Sequence, residues 1–353
     1  MRRFIKSISI LLSLILLLSA CSLYPTRDDR LSQTDDAESG FVIYYIDVGQ
    51  ADAALIVCDG RAMLVDGGNV ADSSLIYSFL QNHDVTHLDY IVLSHVHEDH
   101  VGGLAGALNY ATVGIALSPV TEYDTSAFNS FVKYLDEQNV IISVPKHGDI
   151  FWLGSAEIHI VGPAGSFRDA NNSSIVLKIT YGATSFLFTG DVERGGEQAI
   201  LDEGYDISAT VLKVSHHGSE TSTIYPFLRE IMPEYAIISC GSPNPYGHPH
   251  DDTLSRLRDA DAIVFRTDVQ GTITCVSDGR TVSVTVEKNA DVVTNPTEPS
   301  IPDVEDFYIG NKNSKKLHRP SCSGLPREDN RVIFDTKEEA SLAGYDPCGT
   351  CKP

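Results

Sequence analysis

The chain reads as an α/β protein with one large domain and a small C-terminal Cys/His module. Three observations carry that reading. Short β-rich runs alternate with helical segments from Phe41 to about Lys288 and end in polar residues. The stretch SHVHEDH, residues 94 to 100, crowds three histidines and two acids at the end of one such run. After Phe307 the chain carries His318, Cys322, Cys348 and Cys351 in too little sequence for a good core of its own. At 353 residues there is ample length for one full core beside that module. The balance of 26 basic against 48 acidic residues keeps the protein soluble and argues against a broad, non-specific grip on nucleic acid, while leaving room for a local basic patch.

Taken in order, residues 1–20 have a basic start (Arg2, Arg3, Lys6), an apolar run and small residues, which is a secretory signal. The ending LSAC resembles a bacterial lipobox, which makes Cys21 the lipidated first residue of a chain held at the extracytoplasmic face of the membrane. Residues 21–40 are rich in Asp, Ser and Thr and read as a flexible tether. From Phe41, FVIYYIDV, AALIVCD and AMLVDGG read as strands broken by Gly and Asp. SSLIYSFLQNH has helical spacing, and LDYIVLS is a buried strand that delivers the histidine cluster. SFLFTGD, TVLKVSHHGS and EYAIISCG then run apolar and finish polar, the plan by which α/β sheets place sites at strand ends. The large domain spans 41–288. Residues 289–306 carry prolines and acids and read as a linker, and 307–353 form the module.

His95, His97, Asp99 and His100 form H-x-H-x-D-H, a density of imidazole and carboxylate suited to a transition-metal ion such as zinc or manganese. His95 and His97 leave the strand on alternate residues and can point the same way. Asp99 and His100 lie one step on, at a helix start, and can face a second ion.

These motifs resemble the metallo-β-lactamase-fold hydrolases. DVGQADAALI (47–56), LVDGG (64–68), SHVHEDHVGG, NNSSIVL, LFTGD, LKVSHHGS and NPYGHPH (244–250) are similar, in this order, to the extracellular hydrolase domain of ComEC-type competence proteins. The resemblance covers about residues 41–286 and implies a four-layer αβ/βα sandwich with a metal site at one edge. It has no counterpart of the channel part of those proteins, so uptake itself is not expected. Carried over, it implies two divalent ions, Zn or Mn. His95, His97 and Asp191 would hold the first; Asp99, His100 and Asp191, with one histidine of SHHGS, would hold the second. Asp191 would bridge the two. Strand alternation lets one of His216 and His217 face the metal, and His217 is favoured because glycine follows it. Many members of the fold supply a further histidine before the bridging Asp. Here that region reads RDANNSSIVL, so Asn171 or Asn172 would fill the place, as asparagine does in ComEC-type sequences.

The roles that follow are expectations. Asp99 would orient the attacking water. His248, or the spare histidine of the pair, would protonate the leaving oxygen, and Lys213 and Ser219 would hold phosphate oxygens. Asp47 with Gly49, and Asp66 with Gly67 and Gly68, either shape the site floor and bond the metal-binding histidines from behind or simply form turns. The tail stretches YIGNKNSKKLHRPSC and AGYDPCGTC resemble small Ada-like metal-binding modules. His318, Cys322, Cys348 and Cys351 then make a structural zinc site, with disulfide bonding the alternative outside the membrane. Lys312, Lys315, Lys316 and Arg319 form a local basic run able to touch phosphates.

The reading that results is an extracytoplasmic, lipid-anchored dinuclear hydrolase acting on a phosphodiester, with DNA or another nucleic acid the favoured substrate and no protein partner expected. Its rivals are a hydrolase of cell-envelope phosphodiesters such as choline phosphate on teichoic acids, and a non-catalytic surface binding protein on the same scaffold.

Overall fold

The computed structural model of the protein describes residues 40–295 and 308–351, apart from 320, 321, 323 and 335. The leader, the tether with Cys21 and most of the linker lie outside the described residues. Two compact units divide between Thr294 and Asn295. The first runs past Lys288 because the start of the expected linker is packed: Lys288 N–H donates to the Gln270 carbonyl, and Thr294 Oγ1 donates to that of Val264.

The strands of the first unit are β1 (Phe41–Tyr45), β2 (Ala54–Cys58), β3 (Arg61–Val65), β4 (His87–Val92), β5 (Thr112–Leu117), β6 (Ile142–Ser143), β7 (Ile150–Leu153), β8 (Ala156–Gly162), β9 (Val176–Tyr181), β10 (Thr184–Phe188), β11 (Val211–Lys213), β12 (Tyr235–Ile238), β13 (Ile263–Arg266), β14 (Ile273–Ser277) and β15 (Val282–Val286). They form an eight-stranded sheet, β15-β14-β1-β2-β3-β4-β5-β6, and a seven-stranded sheet, β13-β12-β11-β10-β9-β8-β7. Each is parallel on one side (β3 to β6, β10 to β13) and antiparallel on the other.

Strand alternation builds three cores from two sheets. In β3, Met63 and Val65 face the other sheet while Leu64 faces helices. In β10, Phe186 and Phe188 face inward while Leu187 faces outward. Side chains two apart share a face, so every central strand must be apolar on both faces. Helices α1 (Ser73–Asn82), α2 (Glu98–Val101), α3 (Leu104–Tyr110) and α4 (Ser126–Glu137) belong to the β3–β6 half, and Ile76, Leu80, Leu104, Phe128, Phe131 and Leu135 cover its outer face. On the other sheet, α5 (Arg194–Glu203), α6 (Tyr225–Ile231) and α7 (Asp251–Asp259) do the same through Ile200, Phe227, Leu228, Ile231 and Leu257. The product is the four-layer αβ/βα sandwich. Among the described residues no helix is long and apolar enough to cross a membrane.

The second unit is a small four-stranded sheet, β16 (Tyr308–Asn311), β17 (Lys316–His318), β18 (Arg331–Phe334) and β19 (Asp346–Pro347), in the order β18-β16-β17-β19. Among the described residues its hydrophobic core is Leu317, Phe334, Ala340 and Tyr345 with flanking Tyr308 and Val332.

Candidate metal centre

The parallel strands β4, β10 and β11 end together, and their polar ends converge. Beyond β4, Ser94 accepts from Ile175 N–H through its carbonyl, tying one sheet to the other. His97 precedes α2, whose first turn carries Asp99 and His100. The glycines of VGG and DGG exist because two backbones cross here: a Cβ on Gly103 would lie 1.9 Å from the Gly67 carbonyl oxygen. Beyond β10, Gly190 (φ 51°) turns the chain so that Asp191 points into the gap, its N–H donating to Ser174 Oγ at 3.1 Å. Beyond β11, His216 and His217 both adopt left-handed backbone (φ 50° and 53°).

Asp191 lies between two donor sets. His95, His97 and Asp191 form one, and Asp99, His100 and His217 the other, with the ligand atoms of each set within 4.8 Å of one another. Asp191 Oδ2 is 3.7 Å from His95 Nε2 and from His217 Nε2, and Oδ1 is 3.4 Å from His100 Nε2. Two rings are held with known tautomers. His100 Nδ1 donates to Asp66 Oδ2 at 2.9 Å, and Asp66 also accepts from Ser94 N–H and Oγ–H at 2.7 Å each. His217 Nδ1 donates to the Ser239 carbonyl at 3.0 Å. Both therefore turn Nε2 toward Asp191 and Asp99, where it can bind a cation once it carries no proton. His100 Nε2, His217 Nε2 and Asp191 Oδ1 are buried without a hydrogen-bond partner. Facing lone pairs at this depth are costly unless a cation lies among them, so the residues fit divalent ions.

Without an ion the same acids favour a proton on two of these rings, so the pocket calls for positive charge. Burial pulls the His95 imidazole well below its usual value, and His100 adds to the effect. At His100 and His217 burial is outweighed by Asp191 and the other acids, which push both rings up. At Asp99 and Asp191 burial is outweighed by His100 and His217, which hold both carboxyls below the ordinary carboxylate range.

Other expected residues are placed differently. Lys213 is buried, donating to Asp52 Oδ2 at 2.8 Å and to the Val214 carbonyl at 3.1 Å. It is corrected from a phosphate holder to the buried partner of Asp52, whose free oxygen lies 3.6 Å from His217 Nδ1. Asn172 is corrected likewise. Its Oδ1 accepts from the N–H groups of Glu193 and Gly196, closing the start of α5. Asn171 stays a candidate, because its Oδ1 is buried without a partner and its Nδ2 donates to Glu193. Ser219 Oγ is 3.0 Å from Thr221 Oγ1, within its own loop. Asp47 shapes a turn: Oδ1 accepts from Gly49 N–H, and Lys288 lies 3.6 Å from Oδ2. Asp66, by contrast, holds His100. Strand alternation does not separate His216 from His217, because both follow the strand in a left-handed turn. His216 Nε2 also lies 3.7 Å from Asp191 Oδ2, with Nδ1 3.2 Å from Glu193. His248 stands beside them, its ring 5.5 Å from that of His216.

Sequence reasoning missed Asp52, Gln50, Ser174 and Glu193. Asp52 and Gln50 sit inside the quoted DVGQADAALI, and a buried acid paired with a distant lysine leaves no periodic signal.

In the second unit His318, Cys322, Cys348 and Cys351 converge, all four donors within 4.8 Å. Hydrogen bonds from the Cys351 and Thr350 N–H groups pull the Cys348 thiol down to about 7, while burial pushes Cys351 up to about 11. The three cysteines are unpaired thiols, as are buried Cys58, Cys240 and Cys275. A cysteine thiolate beside a neutral histidine is how a tetrahedral zinc site begins. The basic run is partly engaged within the unit: Lys315 lies over the Tyr345 ring at 4.4 Å and Lys316 is 3.5 Å from Asp346.

Comparison with known proteins identifies the family. The sequence profile of the metallo-beta-lactamase superfamily matches residues 46–242, and that of the metal binding domain of Ada matches 302–353. The chain is 32% identical over 247 residues to ComE operon protein 3 of Bacillus subtilis, covering 65% of this chain and 32% of that protein. It is 30% identical over 230 residues to competence protein ComA of Neisseria gonorrhoeae (64% and 31%) and 32% identical over 235 residues to recombination protein 2 of Haemophilus influenzae (65% and 28%). The chain thus spans about a third of the length of these relatives. Among solved structures, the metallo-beta-lactamase fold protein YhfI of Bacillus subtilis aligns with 67% of this chain and 100% of its own at 14% identity and a TM-score of 0.46. The chain belongs to the metallo-beta-lactamase superfamily of metal-dependent hydrolases and carries an Ada-like metal-binding domain at its C-terminal end.

Proposed function

We propose that the protein is a dinuclear phosphodiesterase acting on nucleic acid, anchored by lipid at Cys21 to the extracytoplasmic face of the membrane. The observation that carries the reading is Asp191, set between two donor sets whose lone pairs face one another. Ions bound there would supply Lewis acidity and a water acidified to near neutral pH. His95, His97 and Asp191 would hold one; Asp99, His100, His217 and Asp191 the other. Asp99, part-exposed beside His217 Nε2 at 3.3 Å, would orient the attacking water.

His248 is prepared to donate a hydrogen bond. Gly241 N–H donates to Gln50 Oε1, so Gln50 Nε2 must donate to His248 Nδ1 at 3.2 Å. The ring proton of His248 therefore sits on Nε2. Burial, with His217 and His216 beside it, brings His248 down to about 4, so the ring is neutral at pH 7 and would hold the leaving oxygen through an Nε2–H hydrogen bond, the proton itself coming from water.

Nucleic acid is favoured because relatives bear the names of competence and recombination proteins. The net charge of −22 favours instead a small envelope phosphodiester such as a choline phosphate ester. The experiment is turnover by the purified ectodomain, with zinc and with manganese, of single- and double-stranded DNA, RNA, a choline phosphodiester and bis(4-nitrophenyl) phosphate. Cleavage of the choline ester alone moves the reading to the envelope, and no cleavage by metal-loaded protein refutes it. For the anchor, Cys21→Ser processed and retained in membranes like wild type refutes lipidation.

A further inference from the structure

The loop NPYGHPH beside the metal centre is more rigid than a surface loop needs to be. Asn244 straps it with four hydrogen bonds: Nδ2 donates to the Gly241 and His248 carbonyls at 2.7 and 2.6 Å, and Oδ1 accepts from the N–H groups of Tyr246 and His248 at 3.1 and 3.0 Å. His250 pins its far side. Nδ1 accepts from Glu220 N–H at 2.9 Å, so Nε2 carries the proton and donates to the Tyr246 carbonyl at 3.1 Å. On this fixed backbone Tyr246 is 64% exposed, the largest exposed aromatic of the loop.

Its ring is not randomly turned. Tyr246 stacks on His248 at 5.6 Å between centroids with 25° between planes, and His248 stacks on His217 at 6.1 Å and 26°. Three near-parallel rings thus run from the surface to a ligand of the candidate metal centre. Offset stacks of this spacing are favourable, and the outer face of Tyr246 is left for one more ring. The stack links the outer face of Tyr246 to the candidate metal centre through His248 and His217.

We propose that Tyr246 is the stacking platform for an unpaired nucleobase beside the scissile phosphodiester, so that the enzyme takes single-stranded nucleic acid. The proposal rests on the phosphodiesterase reading. A paired base inside a duplex has both faces occupied and offers none to Tyr246, whereas a single strand offers every base.

The test uses the metal-loaded full chain and three variants, Tyr246→Ala, Tyr246→Phe and Trp152→Ala. Metal content is measured for each. The ligands are a fluorescent single-stranded oligonucleotide and an abasic strand of the same length, which carries the same phosphates. Wild type and Tyr246→Phe should bind the base-bearing strand more tightly than the abasic one. Tyr246→Ala should weaken that binding roughly 5- to 150-fold and leave abasic binding and metal content unchanged. Equal binding of the two strands by wild type, or Tyr246→Ala binding as wild type does, overturns the platform. So does loss in Trp152→Ala alone, which would move the base to the separate cleft of Arg61, His87 and Trp152. Base-dependent binding through Tyr246 without cleavage of any phosphodiester keeps the platform and refutes the phosphodiesterase reading.

Discussion

Replacing Asp66 by Asn tests how the site prepares its ligands. Asp66 is buried and accepts three hydrogen bonds, from Ser94 N–H, Ser94 Oγ–H and His100 Nδ1–H. An Asn keeps one oxygen and replaces the other by an NH2 group. If its oxygen stays with Ser94 N–H, the NH2 faces His100 Nδ1. Two donors then meet, and His100 escapes by moving its proton to Nε2, the atom turned toward Asp191. A protonated Nε2 cannot bind a metal. Loss of a partner behind a ligating histidine costs about 10- to 100-fold in metal affinity, or about 1.4–2.7 kcal/mol. With the tautomer changed the buried groups stay paired, but bonds to a carboxylate become neutral ones, which lowers the folding stability of the metal-free protein by about 1 kcal/mol. Competition against a calibrated chelator reads the first quantity, and denaturant unfolding of the metal-free protein reads the second. A variant that binds both ions with wild-type affinity would show that Asp66 only shapes a turn.

Asp191→Asn should lose most of both ions, since its two oxygens face both donor sets; elemental analysis showing two ions per chain would sink the bridging role. Lys213→Met should destabilise the metal-free protein by about 3–5 kcal/mol, the usual cost of leaving one half of a buried pair, and unchanged denaturant midpoints would restore Lys213 to substrate binding. The second unit should release zinc and lose amide protection under chelator, because Leu317, Phe334, Ala340 and Tyr345 are too small a core to hold it alone. Protection that survives chelator and disappears under reductant would replace the zinc by disulfides.

Much of the fold was legible because alternation and strand-end polarity are local signals. AMLVDGG and SFLFTGD each show a strand apolar on both faces and a polar end, and those ends are where the candidate ligands lie. H-x-H-x-D-H was legible by density alone. Asp191 was reached only through resemblance, since one acid after a strand is commonplace. Lys213 was misjudged because its partner, Asp52, lies 161 residues earlier. Asn171 and Asn172 are neighbours of one chemistry, and only the approach of α5 to Asn172 distinguishes them. The turn at His216 and His217 defeated the alternation argument because two consecutive left-handed non-glycine residues are a rare backbone state. A charge count shows the basic run of the tail but not that Lys315 lies over the Tyr345 ring.

The candidate ligands come from both sheets. His95, His97, Asp99 and His100 follow β4, whereas Asp191 and His217 follow strands of the other sheet, about a hundred residues later. Neither half holds a complete site, so strong binding must wait until the sheets have docked. Ions then act as cross-links between the halves, and free metal raises stability by RT ln(1 + [M]/Kd) for each site. Sheet separation and metal release become a single event. A chain that folds where metal is scarce would gain its final resistance to unfolding only on reaching a metal-bearing compartment, and its lifetime there would follow the supply of the ion.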